Sequence, residues 1–459
     1  MQLSIRSRPS RLLIAFFCLV AWTGGFASAQ EMTFTGLGTK ARSMGGAFIG
    51  LADDYSAIYW NPAGLALLQG SGVGLSLDAA LPTATYRQQA FSPGQGSVPL
   101  IDARSVRKSY LSGLAAGWCA LGPRWTLGLG VYSPTVYGIE WSGAAMTALT
   151  DGDPSVRWSS GVSVITVAAA AACKLDERVY VGASIGLNSG RFKVARYAGT
   201  FRAPLPEPPY EEDVPLGQYE ESLTGWGFSA SLGMLFRPND RISVGISFKM
   251  PSSITFQGVA RIAGFPDLSA VIERQISGSS AIDKKITWPM ELGAGIAYRP
   301  MDRLTLTADI QWTRWSDLDI IQTNYHDISW KTYMAERGND RMPMYIQNSV
   351  RIKTGVEYAW KNIALRAGAC LNPSPAPGDT INLLFPSKNS YGLSLGAGYI
   401  FKNWRADVGL EYQATRSAAA TLRMMPVYPP STRTTWDFQW PGTFDRSAVT
   451  LSFALCYKL

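Results

Sequence analysis

RLTLTADIQWT, residues 303–313, is the stretch on which the fold turns. Leu304, Leu306, Ala308, Ile310 and Trp312 share one parity; Arg303, Thr305, Thr307, Asp309 and Gln311 share the other. A period of two marks a strand with one apolar and one polar face. The alternation returns at 348–360, with Val350, Ile352, Val356, Tyr358 and Trp360 set against Arg351, Lys353, Gly355 and Glu357. It returns again at 403–414, with Trp404, Ala406, Val408, Leu410 and Tyr412 set against Arg405, Asp407, Gly409 and Glu411. A strand half-buried in a soluble sandwich has the same pattern, so alternation alone leaves two architectures open.

The connections separate them. Fourteen such segments lie near 70–81, 109–120, 124–133, 160–175, 178–192, 222–237, 240–256, 286–300, 303–316, 347–360, 362–372, 389–402, 403–417 and 446–459. Very short links (121–123, 176–177, 238–239, 301–302, 361, 402–403) alternate with long ones (82–108, 134–159, 193–221, 257–285, 317–346, 373–388, 418–445). Short turns at one end and long loops at the other belong to an outer-membrane barrel, because hydrocarbon tolerates no open sheet edge. Trp118, Trp125, Trp360 and Trp404 fall at the short-turn ends and Trp226, Trp288 and Trp312 at the long-loop ends. Placed on the apolar parity, these seven predict two interfacial girdles. The expected fold is an all-β membrane protein: a 14-stranded antiparallel transmembrane β-barrel over 70–459, integral to the outer membrane of a Gram-negative bacterium and surrounded by its lipid. A closed wall leaves no edge to share, so the expected state is monomeric.

Composition narrows the function classes. Residues 1–29 read as a signal peptide, with Arg6, Arg8 and Arg11 ahead of an apolar core and Ala27-Ser28-Ala29 as the cleavage site. Removing three arginines from the formal +8 leaves +5, a modest excess spread along the chain that points to no nucleic acid. No run of eighteen apolar residues follows, which excludes an ordinary helical membrane protein. Cys119, Cys173, Cys370 and Cys456 lie on segments with no reason to adjoin, so no disulfide framework is expected. The single histidine, His326, sits in a loop as Tyr325-His326-Asp327 and reads as a surface residue. Neither a catalytic set nor a metal or cofactor site is expected.

Ahead of the strands lies GLGTKARSMGGAFIGLADDYSAIYWNPAGLALL, residues 36–68. Asp53 or Asp54 can cap a helical turn that runs to Trp60. Pro62 lacks an N–H and drives Asn61 out of the helical region, so the chain turns there and restarts over 62–68. Residues 30–69 read as a short helical domain of the right size to fill the bore of fourteen strands, which would otherwise hold water.

This stretch resembles the N-terminal plug of the FadL/TodX family of outer-membrane transport proteins. The likeness rests on Gly45-Gly46, Ala52-Asp53-Asp54 and Asn61-Pro62-Ala63, in that order. It extends through GWGFSASLGMLFRPNDRISVGISFKMP, WPMELGAGIAYRPMDRLTLTADIQWTRWSDLD, ALRAGACLNPSPAP and SYGLSLGAGYIF. The resemblance implies passive uptake of long-chain fatty acids or aromatic hydrocarbons, and folding by the barrel-assembly machinery. FadL-like barrels also serve as shuttles or receptors in secretion systems, and the long loop at 202–222 would suit that second role. Barrels of this class usually finish on an aromatic; this chain finishes on Leu459, with Tyr457 keeping the parity.

An amphiphile requires an apolar slot and a cation for its head group. By parity the lumen receives Arg351, Lys353, Arg366 and Arg405 together with Asp309, Glu357, Asp407 and Glu411, most of which are expected to neutralise one another. Lys353 and Arg366 are candidate ligand contacts. The run GRFKVARYAG at 190–199 resembles the family stretch that lends a basic group to the fatty-acid site, which makes Arg196 the leading candidate. In the third strand Gly128 and Gly130, followed by Ser133-Pro134, weaken the ladder. In the family this strand kinks inward and opens a gap in the wall. The resemblance therefore implies a lateral gate over 128–137, through which a water-averse ligand leaves into the bilayer.

Overall fold

The structure is a computed structural model that describes residues 36–92, 96–204, 211–271, 275–318, 320–336, 340–344, 346–375, 383–385, 389–415, 418–420 and 442–459. The signal segment 1–29 and the first residues of the 30–69 domain lie outside the described residues. Fourteen strands form the wall: β1 (Ser71–Ser92), β2 (Tyr110–Leu121), β3 (Trp125–Trp141), β4 (Trp158–Lys174), β5 (Val179–Tyr197), β6 (Gln218–Asn239), β7 (Ile242–Lys249), β8 (Glu291–Met301), β9 (Leu304–Thr313), β10 (Ser349–Trp360), β11 (Ile363–Asn372), β12 (Ser390–Phe401), β13 (Trp404–Thr415) and β14 (Gly442–Lys458). Each pairs antiparallel with the next. The ring closes where β14 meets β1, from Gly72↔Lys458 to Arg87↔Thr443. Leu459 donates its N–H to the Ser71 carbonyl at 2.8 Å, and Tyr457 packs on Trp404 with centroids 4.5 Å apart. The seam thus ends on an aromatic pair although the last residue is not aromatic.

The outward faces carry Ile185, Phe228 and Leu395, exposed by 68%, 77% and 62%. A continuous apolar belt of this kind is disfavoured in water and favoured in hydrocarbon. Two of the expected fourteen segments break at prolines. Segment 240–256 divides at Met250-Pro251, and Ser252–Ile262 pairs higher up with β6 and with Ser279–Trp288. Segment 286–300 divides at Pro289-Met290. Proline donates no ladder hydrogen bond, and at both breaks the facing inverts. Val244 and Ile246 point outward but Ile254 and Phe256 inward; Ile286 points inward but Leu292 and Ile296 outward.

Two tryptophans leave the expected girdles, only the first of them because of a break. Trp288 lies before its break, faces the bore and donates Nε1–H to Thr135 Oγ1 at 3.1 Å. Trp118 is buried with Leu65 and Ala116 and donates to the Gln69 carbonyl at 3.5 Å. β1 and β3 also run past their expected ends at 81 and 133; β1 folds back on the strand Gly96–Arg104.

Residues 36–68 lie inside the ring. They form a helix Thr39–Ser43, a helical turn Ala57–Trp60 and a 3₁₀ turn Pro62–Leu67. A track of luminal glycines lets their backbone touch the wall. A Cβ on Gly368 would stand 2.0 Å from the Gly45 nitrogen, and one on Gly182 2.5 Å from the Ala63 nitrogen. On Gly245 a Cβ would stand 2.2 Å from the Ile49 oxygen. Gly368→Val is expected to unseat this segment while leaving the ring closed. Limited proteolysis of the purified variant should then cleave within 36–68 while the band on an unheated gel stays folded; wild-type protection would contradict the packing.

Candidate functional site

The inner segment is fastened by charge as well as by close approach. Arg42 is buried and reaches Glu411 of β13 at 2.7 Å and Asp78 of β1 at 3.3 Å, and donates to the Gly36 carbonyl at 2.7 Å. Burial alone would lower the guanidinium pKa, but Asp78 and Glu411 outweigh it and hold the group above its ordinary value. Asp309 of β9 accepts the N–H groups of Phe48 and Ile49, both at 2.7 Å. Ser394 accepts the Gly45 N–H at 3.0 Å. Lys40 holds Asp53 at 2.8 Å and Glu357 at 3.5 Å. Of the two candidate caps, Asp54 shapes the turn, accepting from Ser56 N–H at 2.8 Å, while Asp53 is taken by Lys40.

Asn61 is the corner. It leaves the helical region at φ −158° and ψ 99°, with Pro62 at the first position of the following turn. Its Nδ2 donates to the Ile49 carbonyl at 3.0 Å and to the Met234 carbonyl of β6 at 3.1 Å, and its Oδ1 accepts from Ala63 N–H at 3.3 Å. One side chain thus ties two pieces of the inner segment to the wall.

Above this segment lies a cavity of about 150 Å³. Its floor is Tyr59 with Lys249, Glu291 and Arg351; its upper wall includes Val164, Ile254, Trp288 and Trp315. Glu291 is shared by Lys249 at 3.1 Å and by Arg351, and Lys249 lies 3.8 Å from the Tyr59 ring centre. A second, smaller cavity of about 20 Å³ shares Thr135, Trp288 and Trp315 with the first and adds Tyr137, Phe192 and Leu318. Over both sits Leu383–Phe385, inserted from the β11–β12 connection. Tyr137 and Trp141 donate to the Leu384 and Leu383 carbonyls at 2.8 Å, and Phe385 stacks on Tyr137 and Phe192.

The cavity abuts a fault in the wall. On β3, Tyr132 pairs with Thr166 but Thr135 with Val164, so Ser133 and Pro134 oppose Ile165 alone. That is a bulge of one residue. On the other side the β2–β3 ladder stops at Leu114↔Tyr132, and Tyr110–Gly113 pair with β1. Among the described residues β3 regains a partner there at Glu140, whose carbonyl accepts from Val106, and at the Ser105↔Trp141 bridge. Alternation ends at the bulge: residues 135–139 are all buried, so the strand has moved inward. Gly128 and Gly130 have a different part. A Cβ there would stand 2.9 Å from Leu65 and 3.1 Å from Ile58, so they make room for the inner segment.

The three expected ligand contacts are not brought together, and none lines the larger cavity. Arg196 lies in the loop-side dome, over the Tyr219 ring at 4.5 Å, near the buried pair Lys284–Glu221 at 2.7 Å. Lys353 lies 4.7 Å from the Trp60 ring centre, against the inner segment. Arg366 bridges Glu357 at 2.6 Å and Asp407 at 2.8 Å. Of the cavity's own polar groups, Lys249 and Glu291 escaped the sequence reading, whereas Thr135 falls within the stretch 128–137 expected as a gate. The signal for the two missed was the proline two residues away from each: Pro251 and Pro289 mark the ends of regular ladder.

A family model described as outer membrane protein transport protein (OMPP1/FadL/TodX) matches residues 14–453. The chain belongs to this family. It is 25% identical over 412 residues to an outer membrane protein of Neisseria meningitidis serogroup B, covering 84% of this chain and 86% of that one. It is 22% identical over 433 residues to the long-chain fatty acid transport protein of Escherichia coli, covering 87% and 89%. Among solved structures, a Pseudomonas aeruginosa FadL homologue superposes with TM-score 0.74 at 14% identity, over 94% of this chain and 100% of that one. The toluene transporter TbuX of Ralstonia pickettii does so with TM-score 0.65 at 17% identity, over 93% and 99%. The protein is thus an outer-membrane β-barrel of the FadL/TodX transport family.

Two substitutions probe the fastening. Arg42→Met would strand Asp78 and Glu411 without their shared cation, at a cost of about 3–5 kcal/mol. Asn61→Ala would delete its bonds to Ile49, Met234 and Ala63, at a cost of roughly 2–3 kcal/mol. Both should lower the midpoint of chemical unfolding in detergent, Arg42→Met further; an unmoved midpoint would show that the inner segment is not held this way.

Proposed function

We propose that this FadL/TodX protein is a channel for passive entry of hydrophobic molecules, long-chain fatty acids or aromatic hydrocarbons, and that they leave it sideways into the bilayer. Residues 30–69 act as a hatch that blocks the bore, and 70–459 as the barrel. The observation that carries this reading is the contact between the cavity and the β3 bulge: Pro134 and Thr135 line the cavity at the level where the β2–β3 ladder lapses. A ligand held there has the blocked bore below it and a breach in the wall beside it. Moving sideways keeps apolar surface out of water throughout.

The floor gives polarity to this slot. Glu291 answers two cations, Lys249 and Arg351, which leaves a positive excess where a carboxylate head would rest. Arg196, Lys353 and Arg366 act in this proposal as braces of dome and hatch that keep the slot in shape. The chemistry is transfer without bond making. The substrate class is supported by the likeness to the long-chain fatty acid transport protein of Escherichia coli and to the toluene transporter of Ralstonia pickettii.

Deleting Ser133 together with Pro134→Val would restore an unbulged ladder without crowding Leu65 or Ile58. Cells carrying that variant should show at least a tenfold loss of labelled oleate or toluene uptake, while the purified protein still migrates as a folded barrel. Undiminished uptake would rule out the lateral route.

A further inference from the structure

The end of the barrel with short turns is encircled by cations. Each of the six short turns carries at least one: Arg124, Arg178, Arg241, Arg303, Lys361 and Lys402, all exposed. The strand ends beside them add further cations, Lys174, Arg237, Arg299 and, at the β14–β1 seam, Lys458, and no acidic side chain. The opposing charges are Asp176, Glu177, Asp240 and Asp302. Two of these are engaged locally: Asp176 accepts the Arg178 and Val179 N–H groups, and Glu177 pairs with Lys174 at 2.7 Å. Among the described residues, none of the six turn cations takes part in an ion pair. A fold needs no such ring, because tight turns are equally well made by neutral residues.

Depth decides what the ring meets. Arg124 directly precedes Trp125, Lys361 directly follows Trp360, and Lys402 stands two residues before Trp404; these tryptophans face outward and are 52%, 51% and 45% exposed. Lys361 Nζ lies 5.7 Å from the Trp360 ring centre and Lys402 Nζ 5.3 Å from that of Phe401. Outward aromatics mark the edge of the hydrocarbon, and a cation one or two residues beyond stands at the level of lipid phosphates. With the long loops outside, this end faces the periplasm and the phospholipid leaflet. We propose that the collar binds anionic glycerophospholipid head groups of that leaflet, in preference to zwitterionic ones, around the whole circumference. A protein partner fits less well, since the turns are two to four residues long and present no raised surface.

The test uses the purified mature protein in mixed micelles with dioleoylphosphatidylglycerol or dioleoylphosphatidylcholine. Retained lipid is read by native mass spectrometry, with and without added salt. Several-fold more phosphatidylglycerol than phosphatidylcholine should be retained, and salt should erase the difference. Combining Arg124→Gln, Arg241→Gln, Arg303→Gln and Lys361→Gln should abolish the preference. Combining Arg104→Gln, Arg107→Gln, Arg261→Gln and Lys285→Gln, at the opposite end, should leave it intact. Equal retention of the two lipids by the wild-type protein, as a collar serving an acidic polypeptide would show, overturns the proposal. So does a preference that resists salt, or one that survives in the four-turn variant. The salt series on the wild-type protein decides the matter should that variant fail to fold.

Discussion

Hydrocarbon offers no partner to an amide, and the whole molecule answers to that constraint. Every strand must be paired on both sides, so fourteen strands have to end where they began, at the β14–β1 seam. Where the β2–β3 pairing lapses, beyond Tyr132 on β3, the backbone is not left bare in lipid. There the strand bends inward, and both its parities become buried.

Closure creates a second problem, a bore too wide for wall side chains to fill. Residues 36–68 meet it by close approach: glycines on the luminal parity let backbone lie on backbone, and buried charges are matched across the joint. Arg42 between Asp78 and Glu411, and Asp309 under two amide groups, are matched sets that join the inner segment to strands of the wall. Such sets fix position more than they stabilise, since desolvation offsets much of their attraction. The upper bore is filled differently, by Leu383–Phe385 and the aromatics around it. The cavity is what remains between these two fillings.

Much of this was legible in the sequence. The fourteen segments, the sorting of turns and loops, and the burial of Arg351, Lys353, Arg366, Asp309, Asp407 and Glu411 follow from a period of two. Height along the bore does not follow from it. Parity says that Lys353 and Arg366 face inward but not that they lie against the inner segment, below the cavity. The inversions at Pro251 and Pro289 were hidden for a related reason: a short break gives its two sides opposite facings, which is how Trp288, just before Pro289, came to point inward while Leu292 points outward. Gly128 and Gly130 read as weaknesses of a ladder because the neighbours that need their space lie more than sixty residues away. Insertion of Leu383–Phe385 is a tertiary event with no local signature.

The central claim is that the bore is stoppered, so that whatever passes must leave through the wall. Conductance of the purified mature protein in a planar bilayer tests this most directly. The account predicts no steady ionic current for the intact chain and an open, porin-like conductance once residues 36–68 are removed. A stable aqueous conductance in the intact protein would contradict it.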